Sequence, residues 1–540
     1  MNRRFFIKSL FFFLSSLSFK ILASNKKGSV SFDYGVASGD PTNTQVILWT
    51  KLSTEDGTAQ PVFWEVSEDT SFNKIIASGF SEAKPFDDYT IKVDAKIPLE
   101  FNARKIYYRF KSNEIFSEIG TTSTLPVRNP DKFNIAFCSC SNYPAGYFNA
   151  YKEMANDKDV NLVLHLGDYL YEYSSKGYAS SDAKKMGRVV NPSNEIVSLD
   201  DYRQRYATYR SDKDLQLLHQ SKPMIAVWDD HEITNDTWKG GAQNHNKGEG
   251  LFEDRKDNAI KAYYEWMPIR ENKEKDKIWR SFSIGNLINL VMLDTRFFGR
   301  DKQLEINSYI NDKTLDKERY RQDLLKPRDL LGKEQLGWVS KKINKKYKWS
   351  IIGQQLLIGP KYLPGIFKSD KLNSSRSYLA KQLAGEKLPT NTDQWDGYPA
   401  EREKLYKVIS ESQSNVILAG DSHNAWFSNL YNEDNKFMGI EVGAPAISSP
   451  SLGDSMGELT ETVEKAFVDE NENLLWMNGK SKGYVSMVVS DKHIDVSFKL
   501  ISTVKSKEYQ VLKPTKFRVE HNKLVVLYSE LGRFKHLVFF

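Results

Sequence analysis

Four short apolar runs in this chain each end on residue types that bind metal ions, and that recurrence restricts the fold more than any other feature. Phe133–Phe137 leads into Cys138-Ser139-Cys140, and Leu162–Leu164 leads into His165-Leu166-Gly167-Asp168-Tyr169-Leu170-Tyr171. Pro223–Trp228 ends in Asp229-Asp230-His231-Glu232, with Asn235 close behind, and Asn415–Ala419 ends in Gly420-Asp421-Ser422-His423. Between the first two runs lies a helix-length segment with Phe148, Tyr151 and Met154 at three-residue spacing, so this part reads as strand–helix–strand. Sites in open α/β sheets form just beyond the carboxyl ends of parallel strands. One Gly-Asp after a strand is equally well explained as a helix cap. Four such ends, carrying His231 and His423 from a chain with only eight His, point to a single site at one edge of one sheet.

The residue types suggest the chemistry. A pair of cations needs a carboxylate to bridge them, and Asp168 in its Gly-Asp turn is the candidate. Tyr171, three residues on, faces the same side if a helical turn begins there. Asp421 and His423 sit two apart, so an extended strand end points both into one site. A thiolate and a phenolate on one cation suit a strongly polarising iron(III) better than magnesium. Of the two cysteines, Cys140 reads as the ligand and Cys138 as a small buried residue. His231 reads as a proton donor or phosphate contact.

Length and charge bound the rest. At 540 residues the chain exceeds the usual single-core limit of roughly 250–300, so two domains are expected. Of the net charge of +6, four charges belong to Arg3, Arg4, Lys8 and Lys20 in an acid-free segment, 1–24. Without that segment the chain is nearly neutral, and no nucleic-acid-binding stripe is evident. Asn2-Arg3-Arg4-Phe5-Phe6-Ile7-Lys8, followed by the apolar run Leu10–Phe19, resembles the bacterial twin-arginine export motif. The run is shorter than the about 20 apolar residues a span requires, so residues 1–24 are expected to be a cleaved signal. The twin-arginine translocase is then a partner during export, the destination is periplasmic or secreted, and no stable membrane span remains.

Along the chain, residues 30–126 read as all-β, with short aromatic and β-branched runs such as Val46–Thr50, Val62–Val66 and Lys105–Phe110 between turns. This is the pattern of a small immunoglobulin/fibronectin-like sandwich. Leu125–Pro130 reads as a linker. From 131 to 500 strands alternate with helices, which argues for a layered α/β domain. Residues 174–198 are polar and expected to be a loop on the site's side; 300–333 is charged, aperiodic and expected to be a loop or lid. Residues 501–540 form a C-terminal extension with β-like runs.

Several stretches carry a family resemblance. Gly35-Val36-Ala37-Ser38-Gly39-Asp40-Pro41 with VILWTKL, then Cys140-Ser141-Asn142-Tyr143, HLGDYLYE, SLDDYRQRYATYR, WDDHEITND, LDTR, WDGYPAER and GDSHN stand in one order. Together they resemble the PhoD-type alkaline phosphatases and phosphodiesterases of the calcineurin-like metallophosphoesterase superfamily. The resemblance implies an α/β fold, a layered β-sandwich metallophosphoesterase core preceded by the small all-β domain. It further implies that Cys140, Asp168, Tyr171, Asp421 and His423 hold iron(III). Asp168 would bridge to calcium, which Asn235 completes. Zinc and manganese are the alternative metals. Asn235 and Arg296 are the expected substrate contacts and His231 the catalytic residue. Where the superfamily has Asp-x-His and Gly-Asn-His, this chain has Ser139-Cys140-Ser141 and Asp229-Asp230-His231, which leaves Asp229 and Asp230 without an assigned role.

The expected function is an exported, metal-dependent phosphoesterase acting on phosphomonoesters, phosphodiesters or both. One alternative keeps the site but changes the substrate to lipid headgroups, as a phospholipase D-like enzyme would. A more distant one is a non-catalytic surface-binding protein with a structural metal. Ligands converging from four strands with a spare His argue against that reading, because structural metal sites are closed.

Overall fold

The computed structural model describes residues 29–369 and 378–521, together with the stretches 526–528 and 534–535. The segment 1–24 and its paired arginines lie outside the described residues.

The run Phe133–Phe137 forms the body of the strand Lys132–Cys138, buried on both faces from Ile135 onward. It pairs in parallel with Leu162–His165, which pairs in parallel with Pro223–Ala226. Continuous apolar burial of this kind is what a sheet covered on both sides requires. On its other side Lys132–Cys138 pairs antiparallel with Lys482–Ser490, and His493–Ile501 and Thr515–Glu520 lie beyond it. The described pieces Val526–Tyr528 and Phe534–Lys535 extend the same edge.

A second sheet faces the first. Its order is Arg280–Ile284, Ile288–Met292, Trp349–Gly353, Asn415–Ala419, Phe437–Gly443, Ala425–Tyr431, Leu474–Asn478. Ile135, Leu164 and Met487 from the first sheet share one core with Ile351, Leu418 and Val442 from the second. The four ligand-bearing runs therefore do not end in one sheet. Three belong to the first, while Asn415–Ala419 belongs to the second. All four runs are apolar and double-sided, so burial alone does not reveal their sheet. The two sets of ends are stitched together: Ser139 forms a parallel bridge with Ala446, and the Ile447 N–H donates to the Ser139 carbonyl at 3.0 Å.

Residues 30–126 are all-β, as expected, but they share a sheet with the α/β part of the chain. Val36–Gly39 pairs in parallel with Pro223–Ala226, and Gln45–Lys51 and Thr90–Lys96 continue outward. The opposing sheet contains Gly120–Thr122, Ile106–Ser112, Gln60–Ser67 and Ile75–Ala83. Between the two lie Val46, Leu48, Val62, Val66, Ile106 and Phe110. Close approach requires glycine at the junction: a Cβ on Gly39 would meet the Pro268 carbonyl oxygen at 2.1 Å and that of Met224 at 2.5 Å.

Two further expectations change. The stretch 300–333 is not an irregular loop. It holds the helix Lys317–Leu324 and a small hairpin, Ile310–Asn311 with Thr314–Leu315. Its sparse apolar residues Ile306, Tyr309, Tyr320 and Leu324 close a satellite core with Leu383 and Leu388, which its charged sequence conceals. The segment 174–198 contains one short helix, Ala183–Met186, and is otherwise irregular.

Candidate active site

The candidate ligands sit on turns, not on continuing strands or helices. Cys140, Asp168, Asp421 and His423 have φ of 61°, 55°, 55° and 63°. Non-glycine residues occupy this left-handed region at a cost of order 1–3 kcal/mol, and such residues cluster at functional sites. Two expectations fail here. Tyr171 reaches Asp168 across a turn that is not helical, and Asp421 and His423 are not on an extended end. The left-handed turn at Asp168 is fixed from outside. Glu232 accepts the backbone N–H groups of Tyr169 at 2.6 Å, Asp168 at 3.0 Å and Asp229 at 2.7 Å. Gly167 has φ 101°, and a Cβ there would lie 2.4 Å from the Asp229 nitrogen.

Cys140, Asp168 and His423 offer sulfur, oxygen and nitrogen atoms within 4.8 Å of one another. Nδ1 of His423 donates to the Pro450 carbonyl at 2.7 Å, which leaves Nε2 as the free lone pair. That nitrogen is 3.1 Å from the Tyr171 hydroxyl. The hydroxyl in turn donates to Oδ2 of Asp168 at 2.8 Å and accepts from Ser449 at 2.7 Å. Burial holds His423 neutral, lowering its imidazole to about 4. Burial, with Asp168 adding, lifts the Cys140 thiol and the Tyr171 phenol well above their ordinary ranges. Only a cation would reverse those shifts and make both anionic ligands.

The carboxylates continue from there. Asp168, Asp230 and His231 form a second group, and Asp229, Asp230 and Asp421 a third. Asp168 and Asp230 each belong to two groups, so the three form one chain of donors. Asp421 thus faces the carboxylates instead of completing the sulfur-containing group. Arg296, expected to contact substrate, is fully buried among them. Its guanidinium is paired with Asp229, reaches Asp393 at 2.6 Å and Asp421 at 2.8 Å, and lies 3.6 Å from Asp230. A phosphate would have to displace a carboxylate to reach it, so its place is that of a charge balancer. One guanidinium does not suffice. Burial, with Asp393 and Asp230 adding, lifts Asp421 to about 6, and burial with the same two lifts Asp236 to about 8. Oδ1 of Asp168 and Oδ2 of Asp229 are buried with no hydrogen-bond partner. Unsatisfied buried anionic oxygens beside S, N and O donors fit a site for metal ions.

His231 stands beside this chain. Its Nδ1 is 2.7 Å from Oε2 of Glu172, leaving Nε2 for the group it forms with Asp168 and Asp230. Burial opposes its charge, but Glu172, Asp230 and Asp168 outweigh burial and hold the imidazole protonated well above its ordinary range. Burial would likewise raise Asp230, yet Arg296, His231 and the Asp236 N–H keep it at about 2. Asn235, expected on the calcium side, is positioned through its two N–H groups. Its N–H donates to Glu172 at 2.9 Å and its side-chain amide to Gln243 at 3.0 Å. Cys138 is buried in the core, with its sulfur 3.8 Å from the Leu164 carbonyl.

Sequence reading alone passed over Glu172, Glu232, Asp393 and Gln394. The first two stand inside the motifs HLGDYLYE and WDDHEITND, directly after Tyr171 and His231. Asp393 and Gln394, whose amide is bonded to Asp421, lie in a stretch without periodicity that gives no signal.

Comparison with known proteins agrees with this geometry. The PhoD-like phosphatase family matches residues 135–498, and the PhoD-like phosphatase N-terminal domain matches residues 18–126. Alkaline phosphatase D of Bacillus subtilis (strain 168) is 34% identical over 508 residues, covering 90% of this chain and 80% of its own. A solved structure titled "Structure of PhoD" superposes with a TM-score of 0.76 at 31% identity, over 93% of this chain and 92% of that one. Facing sheets, a shared set of turns and matched sequence along nearly the whole length show that the chain belongs to the PhoD-like phosphatase family, and with it to the hydrolases of phosphoric esters.

Proposed function

We propose that this phosphoester hydrolase is metal-dependent, is exported, and acts on phosphomonoesters, phosphodiesters or both. The observation that carries the metal dependence is the chain of three donor groups joined through Asp168 and Asp230, with buried carboxylate oxygens left unpaired. Cys140, Asp168, Tyr171 and His423 would hold an iron(III), for which thiolate and phenolate are fitting donors. Asp229, Asp230 and Asp421, joined to Asp168 through Asp230, offer the all-oxygen set that suits calcium, with zinc or manganese as alternatives. Bound ions supply Lewis-acid polarisation of a phosphoryl oxygen and lower the pKa of water.

The chain's own residues do the remaining work. Water adds to phosphorus, the ester P–O bond breaks, and the departing oxygen takes a proton from Nε2 of His231. The incoming water gives up the proton that restores His231. Glu172 fixes the ring, because its carboxylate also accepts from Thr234, Asn235 and Asn244 and so has one allowed position. Arg296 keeps four acids together while the site is assembled. Export rests on the resemblance of residues 1–24 to a twin-arginine signal; no helix among the described residues is long and apolar enough to cross a membrane.

Elemental analysis of protein purified after native export, beside a panel of mono- and diesters, tests this. Bound iron and calcium, with hydrolysis abolished by chelation, is the expected result. A metal-free yet fully active protein would overturn the proposal.

A further inference from the structure

Four rings close on one another at the rim of the site. Tyr171 and His231 have centroids 4.1 Å apart, and Tyr173 lies 5.4 Å from His231. Tyr178 completes the circuit, 5.6 Å from Tyr173 and 6.2 Å from Tyr171, which it faces at an interplanar angle of 28°. Tyr171 and His231 are buried, whereas Tyr178 is 38% exposed. Two side chains thus lead from the reacting groups to solvent.

This placement decides what the outer rings meet. The alcohol of the ester leaves on the side of the proton donor, so its carbon skeleton extends past His231 into the space beside Tyr173 and Tyr178. Both outer residues are phenols, so the surface they present is an uncharged aromatic one. An uncharged ring face gains most from another ring set offset or edge-on.

The geometry points to a leaving-group subsite: Tyr173 and Tyr178 form an aromatic wall that receives the alcohol of the ester and favours alcohols carrying an aromatic ring over small aliphatic ones. This inference rests on the phosphoester reading and adds a substrate class to it.

The test compares wild type, Tyr178→Ala and Tyr178→Phe as full-length, metal-loaded protein. The kinetic measurement is the ratio of kcat/KM for phenyl phosphate to that for glycerol phosphate. Calorimetry gives the ratio of Kd for methylphosphonate to that for phenylphosphonate, which need no turnover. Tyr178→Ala should lower both ratios by about three- to ten-fold, the first chiefly through KM, and Tyr178→Phe should restore them. Equal losses on both esters, unchanged ratios, or a Phe variant as impaired as the Ala variant would overturn the subsite. If wild type splits neither ester, the phosphoester reading fails, and calorimetry still decides the subsite: a phenylphosphonate preference that survives Tyr178→Ala counts against it.

Discussion

Nδ1 of His231 is 2.7 Å from Oε2 of Glu172, and the other oxygen of that carboxylate accepts from the Asn235 N–H and the Asn244 amide, each at 2.9 Å. The pair is buried and saturated on the Glu172 side, so it can tilt only if several bonds break together. It works as a single unit that holds a proton and aims it.

The pair should mark the pH dependence of stability in metal-free protein. Burial opposes the charge of Glu172, but His231 and its other partners outweigh burial and lower its pKa from 4.5. That contribution is present above 4.5 and is lost as pH falls through the lowered value. His231 is raised from 6.5, so its contribution is full below 6.5 and is lost as pH climbs through the raised value. Glu172→Gln should therefore cost most between pH 4.5 and 6.5, about 3–5 kcal/mol, and progressively less on either side. Denaturant melts of both proteins across pH would show this, and a difference independent of pH would refute it.

His231 and His423 should fail in different ways. His231→Ala should keep its metals and lose about 100- to 10,000-fold on alkyl phosphates, with a smaller loss on nitrophenyl phosphate, whose leaving oxygen needs little protonation. His423→Ala should lose metal and fail on every ester. Metal content measured beside rates on both esters separates the two roles. Loss of metal from His231→Ala would make it a ligand through its group with Asp168 and Asp230.

The cysteines give a second contrast. Cys140→Ala should abolish iron binding and activity, because Cys140 belongs to the donor group with Asp168 and His423. Cys138→Ala should keep both and cost about 1–2 kcal/mol, since it is a core residue. Iron held by thiolate and phenolate should also colour the protein, and Cys140→Ala should bleach it. A colourless, active wild type would point to zinc or manganese.

Gly167→Ala should destabilise the protein by about 3 kcal/mol or more. It adds a Cβ in the left-handed region and drives it against the Asp229 backbone. Because that backbone also positions Asp229, metal content should fall together with melting temperature.

Arg3 and Arg4 make the export proposal testable. Replacing both with lysine should leave a folded protein in the cytoplasm, as fractionation would show. Normal delivery of the double variant would mean that a general secretory route is used.

The site was legible in sequence wherever rare residue types ended apolar runs. Cys140, Asp168, Asp421 and His423 stand out in that way, and the structure places Cys140, Asp168 and His423 in one donor group and Asp421 in a neighbouring one. What stayed hidden depends on backbone that only the fold positions. Glu232 matters because three N–H groups from two loops converge on it. Asp421 and His423 part company because left-handed turns, invisible to a two-residue repeat, aim one at Arg296 and the other at Tyr171. The sheet membership of Asn415–Ala419 was equally hidden, because a strand buried on both faces has the same composition in either sheet.

The rung between Val36–Gly39 and Pro223–Ala226 has a consequence for biogenesis. Val36–Gly39 can pair early with Gln45–Lys51, but its other neighbour appears only once the first α/β unit has left the ribosome. The opposite edge waits longer still, since Lys132–Cys138 needs Lys482–Ser490. These pairings are distant in sequence, which slows folding and leaves sheet edges open to aggregation in the interim. Until residues 482–490 emerge, the Lys132–Cys138 edge presents unpaired backbone groups to any other strand it meets.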